Sequence, residues 1–105
     1  MSETPALFIV HRTHPGQRDA ARRIWEQHIQ PLVAENPSHL RYFYCFDDHD
    51  PDVIRVFQQY TDGAAARAFL ATAGYADYLR AVEPLLVGPP EVHSATLMWV
   101  KGLAS

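Results

Sequence analysis

Apolar residues between Leu40 and Tyr60 fall into two runs. One reads Leu-Arg-Tyr-Phe-Tyr-Cys-Phe from Leu40 and the other Val-Ile-Arg-Val-Phe-Gln-Gln-Tyr from Val53, with Asp-Asp-His-Asp-Pro-Asp between them. Aromatic and β-branched runs flanking turn formers predict a β-hairpin with a roughly six-residue loop. Asp47 and Asp48 can bond their own backbone, and Pro51 cannot donate to a ladder, so the strands end there. Both strands are apolar on both sides: Tyr42, Tyr44 and Phe46 alternate with Phe43 and Cys45, and Ile54 and Val56 alternate with Val53 and Phe57. A strand with one wet face would alternate apolar with polar. Each side of this sheet therefore needs a cover.

Upstream, Ala6 to Arg12 is a short strand-length run with Leu7 and Ile9 against Phe8 and Val10. Thr13 to Gly16 interrupt it, with Thr13 or His14 near a helix N-cap and Pro15 in the first turn. From Gln17 the spacing of Ala21, Ile24, Trp25, His28 and Leu32 predicts a helix with one buried stripe, supported by an Asp19–Arg23 pair. Pro31 predicts a kink or a short second helix to about Asn36, closed by Pro37 and Ser38.

Downstream, Asp62 is the expected N-cap of a helix from Gly63 to about Ala71. A break at Gly74, which also offers a hinge, precedes a segment with Tyr75, Tyr78, Leu79, Val82 and Leu86 on one stripe, stopped by Gly88-Pro89-Pro90. Glu91 to Lys101 forms a last strand, with Leu97 and Trp99 opposing Met98 and Val100.

The resulting order, β-α-β-β-α-β over a single domain spanning residues 1–105, predicts an α+β, ferredoxin-like fold: a four-stranded antiparallel sheet with helices on one face. The other face has no cover within the chain, yet it carries bulky apolar residues. This predicts an obligate homodimer in which two sheets pack face to face.

Charge narrows the function classes. The chain has 105 residues and a net charge of -3 at pH 7, with no basic stripe, which argues against nucleic acid as a partner. One cysteine, Cys45, excludes an intrachain disulfide, and its place in an apolar strand suggests a small core residue. Met-Ser-Glu-Thr-Pro lacks the basic start of a signal peptide, and no run reaches membrane-spanning length, so the expectation is a cytoplasmic protein without a membrane partner.

Over almost the whole chain the residues resemble the dimeric α+β barrels of the antibiotic biosynthesis monooxygenase superfamily, including its quinol monooxygenases. The carriers are the Pro15-Gly16 break, Trp25-Glu26, Asn36-Pro37, Arg41-Tyr42 with Asp50-Pro51, Val56 to Asp62, Phe69-Leu70, Ala73 to Tyr75, and Pro84 to Pro90. The resemblance implies a cavity between sheet and helices in each protomer. It also implies cofactor-independent oxidation of a small phenolic or quinol-type aromatic by O2, in which the substrate is deprotonated, passes an electron to O2 and recombines with it. Other members bind haem or isomerise small sugars, so the fold alone does not define the chemistry.

His11 is the first candidate for a base or anchor: a polar residue ending an apolar strand, on the side of Leu7 and Ile9. It resembles the place where haem-degrading relatives carry a pocket asparagine. A solvated strand-end histidine is the competing reading. Gln58 stands where relatives often carry a glutamate two residues before the aromatic that ends the third strand, here Tyr60. It cannot titrate but can hold a hydroxyl or carbonyl. Gly74 stands where many carry a histidine. Trp25, His28, Tyr42, Tyr44, Tyr60, Phe69, Tyr75 and Tyr78 are the candidate substrate-binding walls, and core packing competes for each of them.

No metal set is expected, because a His-Arg-Thr-His run from His11 to His14 does not converge two rings and no cysteine or carboxylate cluster completes it. Arg80 lies near where haem-binding relatives carry their ligating histidine. The alternatives are a non-catalytic dimeric domain that binds a small ligand, or an isomerase acting on a small carbonyl compound.

Overall fold

A computed structural model of the protein describes residues 4–102; the polar start at residues 1–3 lies outside them. The elements run β1 (Thr4–Arg12), α1 (Arg18–His28), α2 (Gln30–Glu35), β2 (His39–Phe46), β3 (Val53–Tyr60), α3 (Gly63–Leu70), α4 (Ala73–Val82), a 3-10 turn at Glu83–Leu85, and β4 (Glu91–Leu97). The four strands form one antiparallel sheet in the order β2-β3-β1-β4. That order is the split βαβ arrangement expected from the sequence: β3 inserts between β1 and β2, which α1 and α2 connect.

The hairpin forms as its turn chemistry dictates. Asp47 Oδ2 accepts the backbone N–H of His49 at 3.0 Å and of Asp50 at 2.8 Å, and Asp47 Oδ1 accepts from Arg55 Nε at 2.7 Å. These three donors hold the Asp47 carboxyl well below the usual carboxylate range. Arg18 then ties the loop to α1. Its guanidinium donates to the carbonyls of Asp47, Asp50 and Val53 at 3.0–3.1 Å and lies 4.0 Å over the Phe46 ring.

One face of the sheet is covered. Leu7 and Ile9 of β1 and Ile54, Val56 and Tyr60 of β3 pack under Ala21, Trp25, Ile29, Ala66, Phe69, Tyr78 and Val82. On α1 the buried stripe is Ala21, Trp25 and then Ile29, not His28, which is partly exposed. Pro31 sits at the start of α2 and the chain bends at Ile29, so the helix splits in two as expected.

Several local expectations are corrected. The N-cap of α1 is Gln17, without a side-chain cap, and the Thr13 hydroxyl donates to the carbonyl of His14 at 3.0 Å. Gly16, at φ +80, turns the chain into the helix, and its N–H donates to Asp52 Oδ1 at 3.1 Å. The ion pair on α1 joins Arg22 to Glu26 at 3.3 Å rather than Asp19 to Arg23. The break between α3 and α4 falls at Ala71-Thr72, where the Thr72 hydroxyl caps α4 by accepting the Tyr75 N–H at 3.2 Å. Gly74 lies inside the first turn of α4. Finally, β4 stops at Leu97, and Met98 and Trp99 are exposed beyond it.

The second sheet face carries Phe8, Phe43 and Phe57 in a row across β1, β2 and β3. Phe57 centres lie 5.0 Å from Phe8 and 5.6 Å from Phe43. Phe8 is 46% and Phe43 52% exposed. Cys45 is exposed on this same face rather than buried, since it lies on the sheet's edge strand and alternates outward with Phe43.

Candidate functional site

The covered face is unusually rich in hydroxyl-bearing rings. All five tyrosines of the chain point into it: Tyr42 and Tyr44 from β2, Tyr60 from β3, and Tyr75 and Tyr78 from α4. Trp25 stacks on Tyr44 at 4.2 Å and donates its indole N–H to the Tyr42 hydroxyl at 2.9 Å. Tyr75 bridges Phe69 at 5.9 Å and Tyr78 at 6.2 Å. Burial pushes the phenol pKa of all five upward. Tyr42 and Tyr75 raise several of the others further, which places these hydroxyls within electrostatic reach of one another. All are protonated at neutral pH, so the wall offers O–H donors inside an apolar shell.

This tyrosine-lined face has a polar group at each end. At one end is His11, 4% exposed, with its ring edge-on to Tyr78 at 6.3 Å. Burial lowers its pKa from 6.5 to about 4, so the imidazole is neutral at physiological pH. Among the described residues neither His11 Nδ1 nor the hydroxyl of Tyr44, both buried, has a hydrogen-bond partner. Folded chains seldom leave buried polar atoms unpaired, since each costs about 1–3 kcal/mol.

At the other end is Gln58, 2% exposed, whose Oε1 accepts from the Tyr60 hydroxyl at 2.5 Å and from His39 Nε2 at 3.0 Å. His39 Nδ1 meets Asn36 Nδ2 at 2.9 Å, and Asn36 Oδ1 accepts the Ser38 N–H at 3.1 Å. The His39 ring also packs against Tyr60 at 4.3 Å and edge-on to Phe69 at 4.5 Å. Burial lowers its pKa, a shift that the bond to Gln58 opposes.

His39 was not among the sequence candidates, and strand parity explains why. Counting back by twos from Tyr42 puts Leu40 inward and His39 outward, but the ladder shifts register between His39 and Arg41. This irregularity turns His39 inward and leaves Leu40 exposed. The only sequence cue is Asn36 three residues before His39, a spacing that lets the two side chains meet in a tight turn.

His11 and Gln58, the two residues expected to act on substrate, are kept apart. Gln58 pairs with Leu7 and His11 with Ile54, four positions along β1, or about 13 Å. Trp25, Tyr42, Tyr44, Tyr60, Phe69, Tyr75 and Tyr78 all pack together on the covered face, whereas His28 lies partly exposed beside the inward stripe of α1.

Two openings flank the wall. A cavity of about 300 Å³ between α2 and the α3–α4 pair is lined by Leu32, Asn36, Ser38, Phe69, Thr72 and Gly74, among others. A groove of about 420 Å³ along the β2 edge is lined by Trp25, Tyr44 and Phe46 beside Arg22, Glu26 and Gln30. Among the described residues no cluster of three or more His, Cys, Asp or Glu side chains could hold a metal ion. Arg80 is exposed and paired with Asp77. No helix among them is long and apolar enough to cross a membrane.

Comparison with known proteins gives the same architecture. The sequence model described as antibiotic biosynthesis monooxygenase matches residues 7–81. A protein of unknown function from Nitrosomonas europaea superposes with a TM-score of 0.82 at 24% identity, covering 98% of this chain and 97% of its own. A protein from Chloroflexus aurantiacus, described as a candidate antibiotic biosynthesis monooxygenase, gives 0.78 at 25% identity, covering 96% and 99%. A Caulobacter crescentus protein described in the same way gives 0.84 at 14% identity, covering 92% of each chain. No curated protein matches the chain.

Proposed function

The chain belongs to the antibiotic biosynthesis monooxygenase family, and from that premise we propose that it oxidises a small phenolic or quinol-type aromatic with O2, using neither metal nor flavin. The observation that carries this reading is the pair of unpartnered polar atoms in the tyrosine-lined wall, His11 Nδ1 and the Tyr44 hydroxyl. An aromatic ligand with a phenolic hydroxyl supplies what both lack: a proton to donate and an oxygen to accept, inside a shell that excludes water.

The chemistry asked of the protein is modest. His11, uncharged, accepts the phenolic proton at Nδ1. O2 takes one electron from the phenolate, the two radicals recombine as a peroxide on a ring carbon bearing hydrogen, and loss of water leaves a quinone. One oxygen atom enters the product and one leaves as water. The stacked Trp25–Tyr44 pair and Tyr42, Tyr75 and Tyr78 hold the ring.

The active unit in this reading is a homodimer. The row of Phe8, Phe57 and Phe43 on the uncovered sheet face is the natural surface for a second copy, since one chain leaves it open to water.

Oxygen uptake by metal-free protein against dihydroxynaphthalenes, anthrones and benzoquinols, corrected for autoxidation, tests the oxygenase. Uptake should follow protein concentration and fall about 100-fold in His11→Ala. A tightly bound aromatic ligand with no uptake would instead favour a non-catalytic binding domain. That second reading is supported by Gln58, which cannot take up or release a proton where relatives often place a glutamate.

A further inference from the structure

One backbone group sets the direction of the hydrogen bonds that run from Asn36 through His39 to Gln58. The Ser38 N–H can only donate, and it donates to Asn36 Oδ1. The Asn36 amide nitrogen is therefore the donor toward His39 Nδ1. With Nδ1 accepting, the single proton of the neutral ring sits on Nε2, which donates to Gln58 Oε1. The Tyr60 hydroxyl donates to the same oxygen, so both lone pairs of Oε1 are in use. Gln58 cannot rotate its amide by half a turn without setting its NH2 against the N–H of His39. The Gln58 Nε2 protons make no hydrogen bond among the described residues.

We propose that Gln58 presents only a donor to the bound ligand, that this end of the site selects an acceptor oxygen, carbonyl or phenolate, and that His39 is the positioning residue that holds Gln58 so. The inference rests on the inner face being the substrate site. It sharpens that reading: His11 Nδ1 meets a hydroxyl that gives up its proton, while Gln58 Nε2 meets an oxygen that has none. A carboxylate at this position would accept from both Tyr60 and His39 and present a negative oxygen to the ligand, so the amide is what permits a quinone-like or ionised oxygen here.

The probe is 1,4-naphthoquinone, whose oxygens only accept, followed by quenching of Trp25 fluorescence in a Trp99→Phe background, since Trp25 and Trp99 are the two tryptophans of the chain. Gln58→Glu and Gln58→Met should each weaken quinone binding about tenfold, and His39→Phe about threefold. Equal Kd values in the parent and both Gln58 variants overturn the inference and leave the site standing. Absence of quenching in the parent by both naphthoquinone and 1,4-dihydroxynaphthalene overturns both.

A readout on the unmutated protein does not depend on variants folding. Nitrogen-15 NMR should find the His39 proton on Nε2, and the Gln58 side-chain amide signals should move on addition of quinone. A proton on Nδ1, or amide signals that stay in place while Trp25 is quenched, overturns the proposal.

Discussion

His11 and Gln58 lie on the covered sheet face on adjacent antiparallel strands, four register positions apart, with the paired Ile9 and Val56 between them. Two groups about 13 Å apart along a strand do not act on the same substrate atom. Their contributions to catalysis should then be independent. His11→Leu is expected to lower kcat/KM about 100-fold and Gln58→Leu about tenfold, with the double variant losing about 1,000-fold, since sites this far apart combine to within about 0.5 kcal/mol. A double variant no worse than His11→Leu would mean that the two residues act as one unit.

The pKa of His11 gives a pH dependence with a definite sign. Burial lowers it from 6.5 to about 4, so between those values the unfolded chain binds a proton that the folded chain refuses. Stability is full above pH 6.5 and falls as pH drops from 6.5 toward 4, by about 3 kcal/mol in total from this group at 1.36 kcal/mol per unit. In chemical denaturation, His11→Leu should remove most of that slope. Its kcat/KM counterpart is an acid limb set by the free enzyme near pH 4 rather than 6.5. A limb at 6.5 would mean that His11 is solvated.

Turn chemistry and alternation made the fold legible. Asp47 to Asp52 marked the hairpin, Asp62 the start of α3, and the inward apolar residues of the strands the helical cover. What the sequence concealed follows from local geometry. Gly16 displaced the start of α1 past Thr13 and His14, and Thr72 rather than Gly74 separates the last two helices. The register shift at His39 reversed the parity of a single residue and hid the histidine that orients Gln58. Pattern reading is strong where a period persists and blind where one residue breaks it.

Gly74 brings the first turn of α4 close to Leu32 of α2. A methyl group there would meet Leu32 Cδ1 at 2.5 Å, and both residues line the cavity of about 300 Å³. The atom in the way is the tip of a side chain that is 38% exposed, so it can turn out toward water. Alanine also favours the helix by up to about 1 kcal/mol. Gly74→Ala should leave thermal stability within about 1 kcal/mol of the parent. In a double-mutant cycle with Leu32→Ala the pair should couple by at least about 0.5 kcal/mol. Strict additivity would show that Leu32 and Gly74 do not press on each other.

Phe43 tests the homodimer, and Cys45 supplies an independent reading of the same face. The two alternate outward from β2, so a partner sheet that covers Phe43 shields the Cys45 thiol too. In a two-fold interface a new charge appears twice, and burying one without a partner costs several kcal/mol. Phe43→Glu should therefore shift the mass in light scattering from about twice 11.9 kDa to 11.9 kDa at micromolar concentration, while Phe43→Leu stays dimeric. In parallel, Cys45 should react with a thiol reagent at least about tenfold faster in Phe43→Glu than in the parent. A parent protein of 11.9 kDa with a freely reactive Cys45 would refute the interface and leave the phenylalanine row needing another occupant.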